Sequence, residues 1–190
     1  MGLEDIAMFR TALNSVVLYP SDAISTEKLV EESARYNGMV YIRTTRMDTP
    51  IIYDKGEEFS IGGCKVLRKS NNDIITIVAA GITLHEALNA CEELRKEGIS
   101  IRVIDLYSIK PVDKTTLAEA AKETMAIITV EDYFAEGGLG EAVKSALSEL
   151  RISVYSLSVQ KMPKSGKPQE LLDYEEISKN AIIKKVREVI

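Results

Sequence analysis

The chain has 190 residues, which at about 150 residues per domain predicts one large domain or one domain with part of a second. Hydrophobic residues make up 45% and charged residues 28%, a globular composition that excludes disordered, collagenous and disulfide-scaffold classes. Acidic residues outnumber basic ones, 29 against 24, and the net charge of −5 argues against a surface devoted to nucleic acid or anionic membranes.

Short apolar runs rich in Val and Ile alternate along the chain with segments of helical periodicity. The predicted strands are residues 16–19, 39–43, 74–79, 101–105, 126–130 and 154–159. The predicted helices are residues 3–11, 26–36, 83–97, 114–122, 139–150 and 178–190. In the third helix, Thr83 and Glu86 are expected to cap the start and Gly98 to end it. The alternation indicates an α/β fold, with a mostly parallel sheet between two layers of helices.

A domain boundary is predicted between residues 50 and 72, where charged residues, glycines and asparagines interrupt the periodic segments. Two strands and two helices precede it, too few to cover both faces of a parallel sheet. The first segment therefore resembles the end of a domain whose beginning is absent, and the part from about Gly63 resembles a complete small domain. An uncovered apolar face predicts self-association or local disorder over roughly residues 1–60.

Two arginines, Arg43 and Arg46, follow the second predicted strand, at the edge where parallel sheets place ligand loops. The planar guanidinium can donate two hydrogen bonds to a phosphate at once, so either arginine is a candidate anion ligand. The competing interpretation is an ion pair with Asp48 or Asp54, and spacing alone leaves both open.

A glycine-containing segment, residues 130–140, leads from the fifth strand into a helix. The glycines lack the G-x-G-x-x-G spacing of a dinucleotide loop, and nearby carboxylates would repel a phosphate, so a tight turn is favoured over a nucleotide site. Glu131 and Asp132 could be read as an acid/base pair. Neighbours on an extended chain point in opposite directions, however, so both are interpreted as local anchoring groups.

Other reactive residue types give weaker signals. His85 has no neighbouring nucleophile signature and is interpreted as a partly exposed helical residue. The loop from Lys161 to Lys167 carries three lysines and could contact an anion or a partner, although a solvated loop is favoured. Cys64 and Cys91 lack a Cys-x-x-Cys partner and are interpreted as buried thiols in a reducing compartment. No clustered ligand pattern predicts a metal site.

The sequence gives no indication of a membrane span or of a signal peptide. No apolar run approaches the length of a membrane span, and Glu4 and Asp5 stand where a signal peptide carries positive charge. The expected location is the cytoplasm, without membrane or nucleic-acid partners.

Seven short motifs, in order along nearly the whole chain, resemble the C-terminal third of a transketolase. Some are shared with related thiamine-diphosphate enzymes, but the set together is specific to the transketolase family. The motifs are GLEDIAMFR (2–10), LYPSD (18–22), IRTTR (42–46), GITLHEAL (81–88), IKPVD (109–113), VED with EGGLGEAV (130–143) and SGKP (165–168).

The resemblance implies that residues 1–62 are the back half of a pyrimidine-binding domain and residues 63–190 a transketolase C-terminal domain. It implies a complete enzyme that moves a two-carbon ketol unit between sugar phosphates of the pentose phosphate pathway, using thiamine diphosphate and Mg²⁺ or Ca²⁺. The groups that hold the cofactor would lie upstream, so this chain alone is expected to bind none and to be inactive. The implied partners are the remaining transketolase portion, sugar phosphates and further copies of the chain.

One substrate residue is implied by the resemblance: Arg46 corresponds to the arginine that binds the sugar phosphate. Arg43 is expected to pair internally. The alternatives are a non-catalytic regulatory or interaction domain of the same fold, or a subunit of another thiamine-diphosphate enzyme.

Overall fold

The computed structural model describes residues 2–190, over which the chain forms eight strands and seven helices. The strands are β1 (Ser15–Leu18), β2 (Met39–Ile42), β3 (Lys65–Arg68), β4 (Ile75–Ala79), β5 (Ile101–Asp105), β6 (Ser108–Lys110), β7 (Ala126–Phe134) and β8 (Ser153–Val159). The helices are α1 (Asp5–Thr11), α2 (Ala23–Arg35), α3 (Ile82–Lys96), α4 (Lys114–Glu123), α5 (Leu139–Ala146), α6 (Pro168–Tyr174) and α7 (Lys179–Val189).

The larger sheet has five strands in the order β3-β5-β4-β7-β8. All its neighbouring strands run parallel except β3, which is antiparallel to β5. Strand β4 is buried along its whole length, because helices cover both faces of the sheet. The α/β fold with a mostly parallel, three-layer arrangement is therefore confirmed.

Side chains that alternate along the central strand fill two separate cores. Ile75 and Ile77 pack on the face covered by α3, α6 and α7, where Leu84 is fully buried. Val78 packs on the face covered by α4 and α5. The period-2 alternation of a strand thus divides one continuous apolar run between two helical layers.

The smaller sheet has three strands in the order β2-β1-β6. Strands β1 and β2 are parallel, whereas β6 comes from the later part of the chain and pairs antiparallel with β1. The sheet is thus completed by a strand that follows the sequence boundary. Large apolar side chains of the first segment remain exposed, among them Met8 (61%), Leu13 (88%), Met39 (52%) and Ile51 (66%).

Buried carboxylates hold the segment after β2 against the start of α2 and the end of β5. Asp22 accepts hydrogen bonds from the backbone N–H groups of Ile52 and Tyr53, at 2.9 and 3.1 Å. Asp105, at the end of β5, accepts from the hydroxyls of Tyr53 (2.7 Å) and Ser21 (3.1 Å). Burial raises the pKa of Asp105 to about 7, against the opposing effect of those two hydrogen bonds.

Several sequence predictions of local structure were wrong. The pattern missed β3, β6 and α6, and it ended the fifth predicted strand at residue 130, whereas β7 continues to Phe134. Helix α3 has Gly81 as its N-cap and no side-chain cap, so the predicted cap by Thr83 and Glu86 does not form. The Thr83 hydroxyl instead donates to the carbonyls of Ala80 and Val130, and Glu86 accepts from the backbone N–H of Lys179.

Gly81 is required where β4 turns into α3. Its φ of +58° lies in the left-handed region, and a Cβ there would come within 2.0 Å of the Tyr19 ring. The turn therefore fits only glycine. Between residues 2 and 190, no helix combines the length and the hydropathy needed to cross a membrane.

Candidate substrate cavity

A cavity of about 300 Å³ opens where β2, β7 and β8 end and where α3 begins. Carboxyl ends of parallel strands meet at one edge of a sheet, so loops from both sheets converge there. The apolar wall is formed by Leu3, Ile82, Val159, Leu171, Leu172 and Ile177. The polar lining includes Arg43, Thr45, Arg46, Asp132, Lys164 and Glu175.

Arg43 forms the buried floor of this cavity. Its Nε lies 3.1 Å from Oδ2 of Asp5, and its Nη1 lies 2.8 Å from Oδ1 of Asp132. The guanidinium carbon also lies 4.8 and 4.9 Å from the ring centroids of Tyr19 and Tyr133. With only 2% of its side chain exposed, Arg43 has its charge balanced by the protein itself.

Burial and neighbouring charges shift the pKa values of Arg43 and Asp132. Burial raises the pKa of Asp132, and the Arg43 guanidinium and the Tyr19 hydroxyl, which donates to Asp132 at 3.1 Å, oppose that rise. Burial lowers the pKa of Arg43, but Asp132 and other neighbours outweigh it, so its pKa lies above the ordinary value. This arginine is a permanent structural cation.

Arg43 was expected to pair internally, and that expectation is confirmed. The partners predicted from spacing, Asp48 and Asp54, were wrong, because the tertiary fold brings Asp5 and Asp132 to the end of β2. Asp5 also accepts from the hydroxyl of Tyr41 at 2.7 Å, and burial with this hydrogen bond raises the Tyr41 pKa to about 12.

Arg46 lies three residues further along the same loop, in a contrasting environment. It is exposed, it lines the cavity, and no ion pair within residues 2–190 engages its guanidinium. The hydroxyl of Thr45 donates to the carbonyl of Met47 at 3.1 Å and so stabilises the turn that carries it. The loop thus presents one neutralised arginine and one available arginine.

The turn between β7 and α5 is occupied by the protein's own carboxylate. Glu131 accepts hydrogen bonds from the backbone N–H groups of Leu139 (2.6 Å) and Gly140 (3.1 Å) at the start of α5. A Cβ on Gly138 would lie 2.1 Å from the Glu131 carboxylate, and burial raises the pKa of Glu131 to about 8. The predicted tight turn and the anchoring role of Glu131 and Asp132 are confirmed, since no room is left for a phosphate.

The remaining candidate residues lie apart from one another. His85 is partly exposed, with Nε2 2.7 Å from the carbonyl oxygen of Ser21. Both cysteines are free thiols: Cys91 is buried as expected, whereas Cys64 is partly exposed, so the expectation of a buried thiol was wrong there. Burial raises the pKa of Cys64 to about 12 and raises that of Cys91, which keeps both in the unreactive thiol form.

The lysine loop is mostly exposed, and its first lysine is held by contacts with the end of α6 and the residues after it. The Lys161 ammonium donates to the carbonyl of Tyr174 and forms an ion pair with Glu176 at 3.2 Å. Lys164 reaches the cavity, with its Nζ 4.2 Å from the centroid of the Tyr174 ring. The sequence analysis left this loop as a candidate anion or partner contact and favoured a solvated loop; the loop is exposed, and Lys164 lines the cavity.

A sequence model of the family described as "Transketolase, C-terminal domain" matches residues 62–182, and the chain belongs to this family. Over the whole chain, the Bos taurus "Transketolase-like protein 1" is 54% identical and the Homo sapiens "Transketolase" 49% identical. The alignments cover 32% and 31% of those proteins. The chain thus spans about a third of the length of these relatives.

Solved structures agree with this family assignment. A structure titled "Split gene transketolase, inactive beta4 tetramer" superposes with a TM-score of 0.91 at 36% identity, covering 99% of this chain and 61% of that one. The Campylobacter jejuni transketolase superposes with a TM-score of 0.78 over 99% of this chain and 28% of its own. At 16% identity, the second likeness concerns the fold alone.

Proposed function

We propose that this chain is the C-terminal part of a transketolase that transfers a two-carbon ketol unit between sugar phosphates of the pentose phosphate pathway in the cytoplasm. In this proposal, residues 1–62 complete a pyrimidine-binding domain and residues 63–190 form the C-terminal domain. The observation that carries the proposal is Arg46, an exposed guanidinium without an ion-pair partner in the described structure, on a cavity at the strand ends.

Arg46 is assigned as the ligand of the substrate phosphate. A phosphate dianion needs a cation with donors that are not already used, and the planar fork of arginine offers two parallel hydrogen bonds. Arg43 does not meet this requirement, because Asp5 and Asp132 already engage it at 3.1 and 2.8 Å. The contrast between the two side chains supports Arg46 as the ligand and Arg43 as the support of its loop.

The cofactor would be held by another part of the enzyme. Among residues 2–190, no group of three His, Cys, Asp or Glu side chains is placed to hold a metal ion, which supports the proposal that another part of the enzyme holds the Mg²⁺ or Ca²⁺. Thiamine diphosphate supplies the carbanion nucleophile of such a transfer when it is bound. This chain would supply the phosphate ligand and part of the cavity wall, and would be inactive alone.

The proposed partners are the remaining two thirds of the transketolase and further copies of this chain. Exposed apolar side chains in the first segment, such as Leu13 and Ile51, support a partner that covers them. The relative titled as an inactive β4 tetramer provides a precedent for self-association within this family.

The test is a transketolase assay with thiamine diphosphate and magnesium, on this chain alone and mixed with the remaining transketolase polypeptide from the same source. Activity in the mixture only is the expected result. In the active mixture, Arg46→Gln should raise KM for phosphorylated sugars about tenfold and leave KM for unphosphorylated sugars nearly unchanged, because a ground-state anchor is lost. An equal effect on both substrate classes would remove Arg46 from the site.

A further inference from the structure

The cavity receives basic side chains from two distant parts of the chain. Arg46 belongs to the loop after β2, and Lys164 belongs to the segment between β8 and α6. Both line the same space of about 300 Å³, although 118 positions separate them in the sequence. The site is therefore built from both ends of the chain.

Lys164 is positioned by the segment that precedes it and by the Tyr174 ring. The Lys161 backbone N–H donates to Oε2 of Glu175 at 3.1 Å, which ties the start of the loop to the end of α6. Pro163 precedes Lys164 and restricts the local backbone. The ammonium lies 4.2 Å from the centroid of the Tyr174 ring. This cation–π contact involves no acceptor oxygen, so the N–H donors remain available for a ligand.

The acidic groups of the cavity already have partners. Asp132 is engaged by Arg43 and by the Tyr19 hydroxyl, at 2.8 and 3.1 Å. Glu175 accepts the backbone N–H of Lys161. By contrast, neither Lys164 nor Arg46 takes part in an ion pair within residues 2–190. Arg46 and Lys164 are therefore the cavity cations without an ion-pair partner, whereas the Glu175 carboxylate is hydrogen-bonded but not paired with a cation.

We propose that Lys164 is a second phosphate-binding cation, which acts together with Arg46 on the phosphate group of a sugar phosphate. The inference rests on the proposed function and extends it to the C-terminal segment. Arg46 would supply directional paired donors, and Lys164 a compact charge that completes the neutralisation of the dianion. The apolar wall, including Ile82 and Leu171, would contact the carbon skeleton.

The test is an NMR titration of this chain with ribose 5-phosphate, with ribose and with inorganic phosphate. Lys164→Gln and Arg46→Gln should each weaken ribose 5-phosphate binding about tenfold, the effect of one lost charge-assisted hydrogen bond. Lys164→Arg should restore most of the affinity. Lys144→Gln is the matched control, since Lys144 is an exposed lysine on α5 outside the cavity, and it should bind like the wild type.

Several outcomes separate this inference from the function on which it rests. If Arg46→Gln weakens binding and Lys164→Gln does not, the role of Lys164 is refuted while Arg46 keeps its assignment. If only Lys164→Gln weakens binding, the shared site is refuted. Equal losses for ribose and ribose 5-phosphate, or no phosphate-dependent binding by the wild type, also overturn the inference. Near-UV circular dichroism checks that each variant is folded.

Discussion

Replacing Arg43 by methionine should be among the most damaging single changes on the cavity wall. The substitution keeps much of the side-chain volume but leaves the buried carboxylate of Asp132 without its cation. Removing one partner of a buried ion pair costs about 3–5 kcal/mol, against a total stability of about 5–15 kcal/mol. With a urea dependence of about 2 kcal/mol per molar, the unfolding midpoint should fall by about 2 M.

Arg46→Met provides the matched control, because it makes the same chemical change three residues away on the exposed side of the loop. It should alter stability by less than about 0.5 kcal/mol, a midpoint shift of under about 0.3 M. The double variant Arg43→Met with Asp132→Asn should be more stable than the sum of the single losses predicts, since the unpaired charge is gone. Equal midpoints for the two single arginine variants would refute the assignment of Arg43 as a structural cation.

Two further predictions concern pH and backbone geometry. Asp105 has a pKa raised to about 7, so between about pH 4 and pH 7 the folded chain binds more protons than the unfolded chain, and the free energy of unfolding should fall as pH rises. In urea titrations at several pH values, Asp105→Asn should make the free energy of unfolding fall less steeply with pH, and the decline that remains should come from Glu131. If the stability of variant and wild type changed with pH in parallel, the assignment would be contradicted. Gly81→Ala should destabilise the chain well beyond Gly98→Ala: both positions have positive φ, but a Cβ at Gly81 would clash with Tyr19 and one at Gly98 meets nothing within 4 Å. Thermal unfolding should show the Gly98 variant to be about 1–2 kcal/mol less stable than the wild type and the Gly81 variant to be less stable still. Similar stability losses would show that backbone strain, and not the clash with Tyr19, determines the effect.

The fold was predictable from sequence because its main elements bury continuous apolar runs. Strand β4 has its whole length in the core, and β5 is equally buried although it contains Arg102 and Asp105. The missed elements are short and lie where the pattern is weak. Strand β3 has four residues on a sheet edge, and β6 has three residues whose pairing depends on β1, about 90 positions earlier in the chain.

The site was less predictable, because its interactions are long-range. The partners of Arg43 lie 38 and 89 positions away in the sequence, so reasoning from spacing selected nearby aspartates instead. The polar pair Glu131 and Asp132 ended the predicted strand, yet both lie inside β7, since other elements supply their hydrogen bonds. Self-association or disorder over residues 1–60 stays a prediction.

Strand β6 has a consequence for where the chain can be divided. Because this strand completes the small sheet, a polypeptide cut near residue 62 would place β1 and β6 on separate molecules. Their pairing would then depend on protein concentration, instead of on the effective concentration of about a millimolar that a covalent connection provides. We therefore expect residue 62, where the match to the family begins, to be a poor place to truncate the chain. We also expect the two sheets to unfold as one cooperative unit.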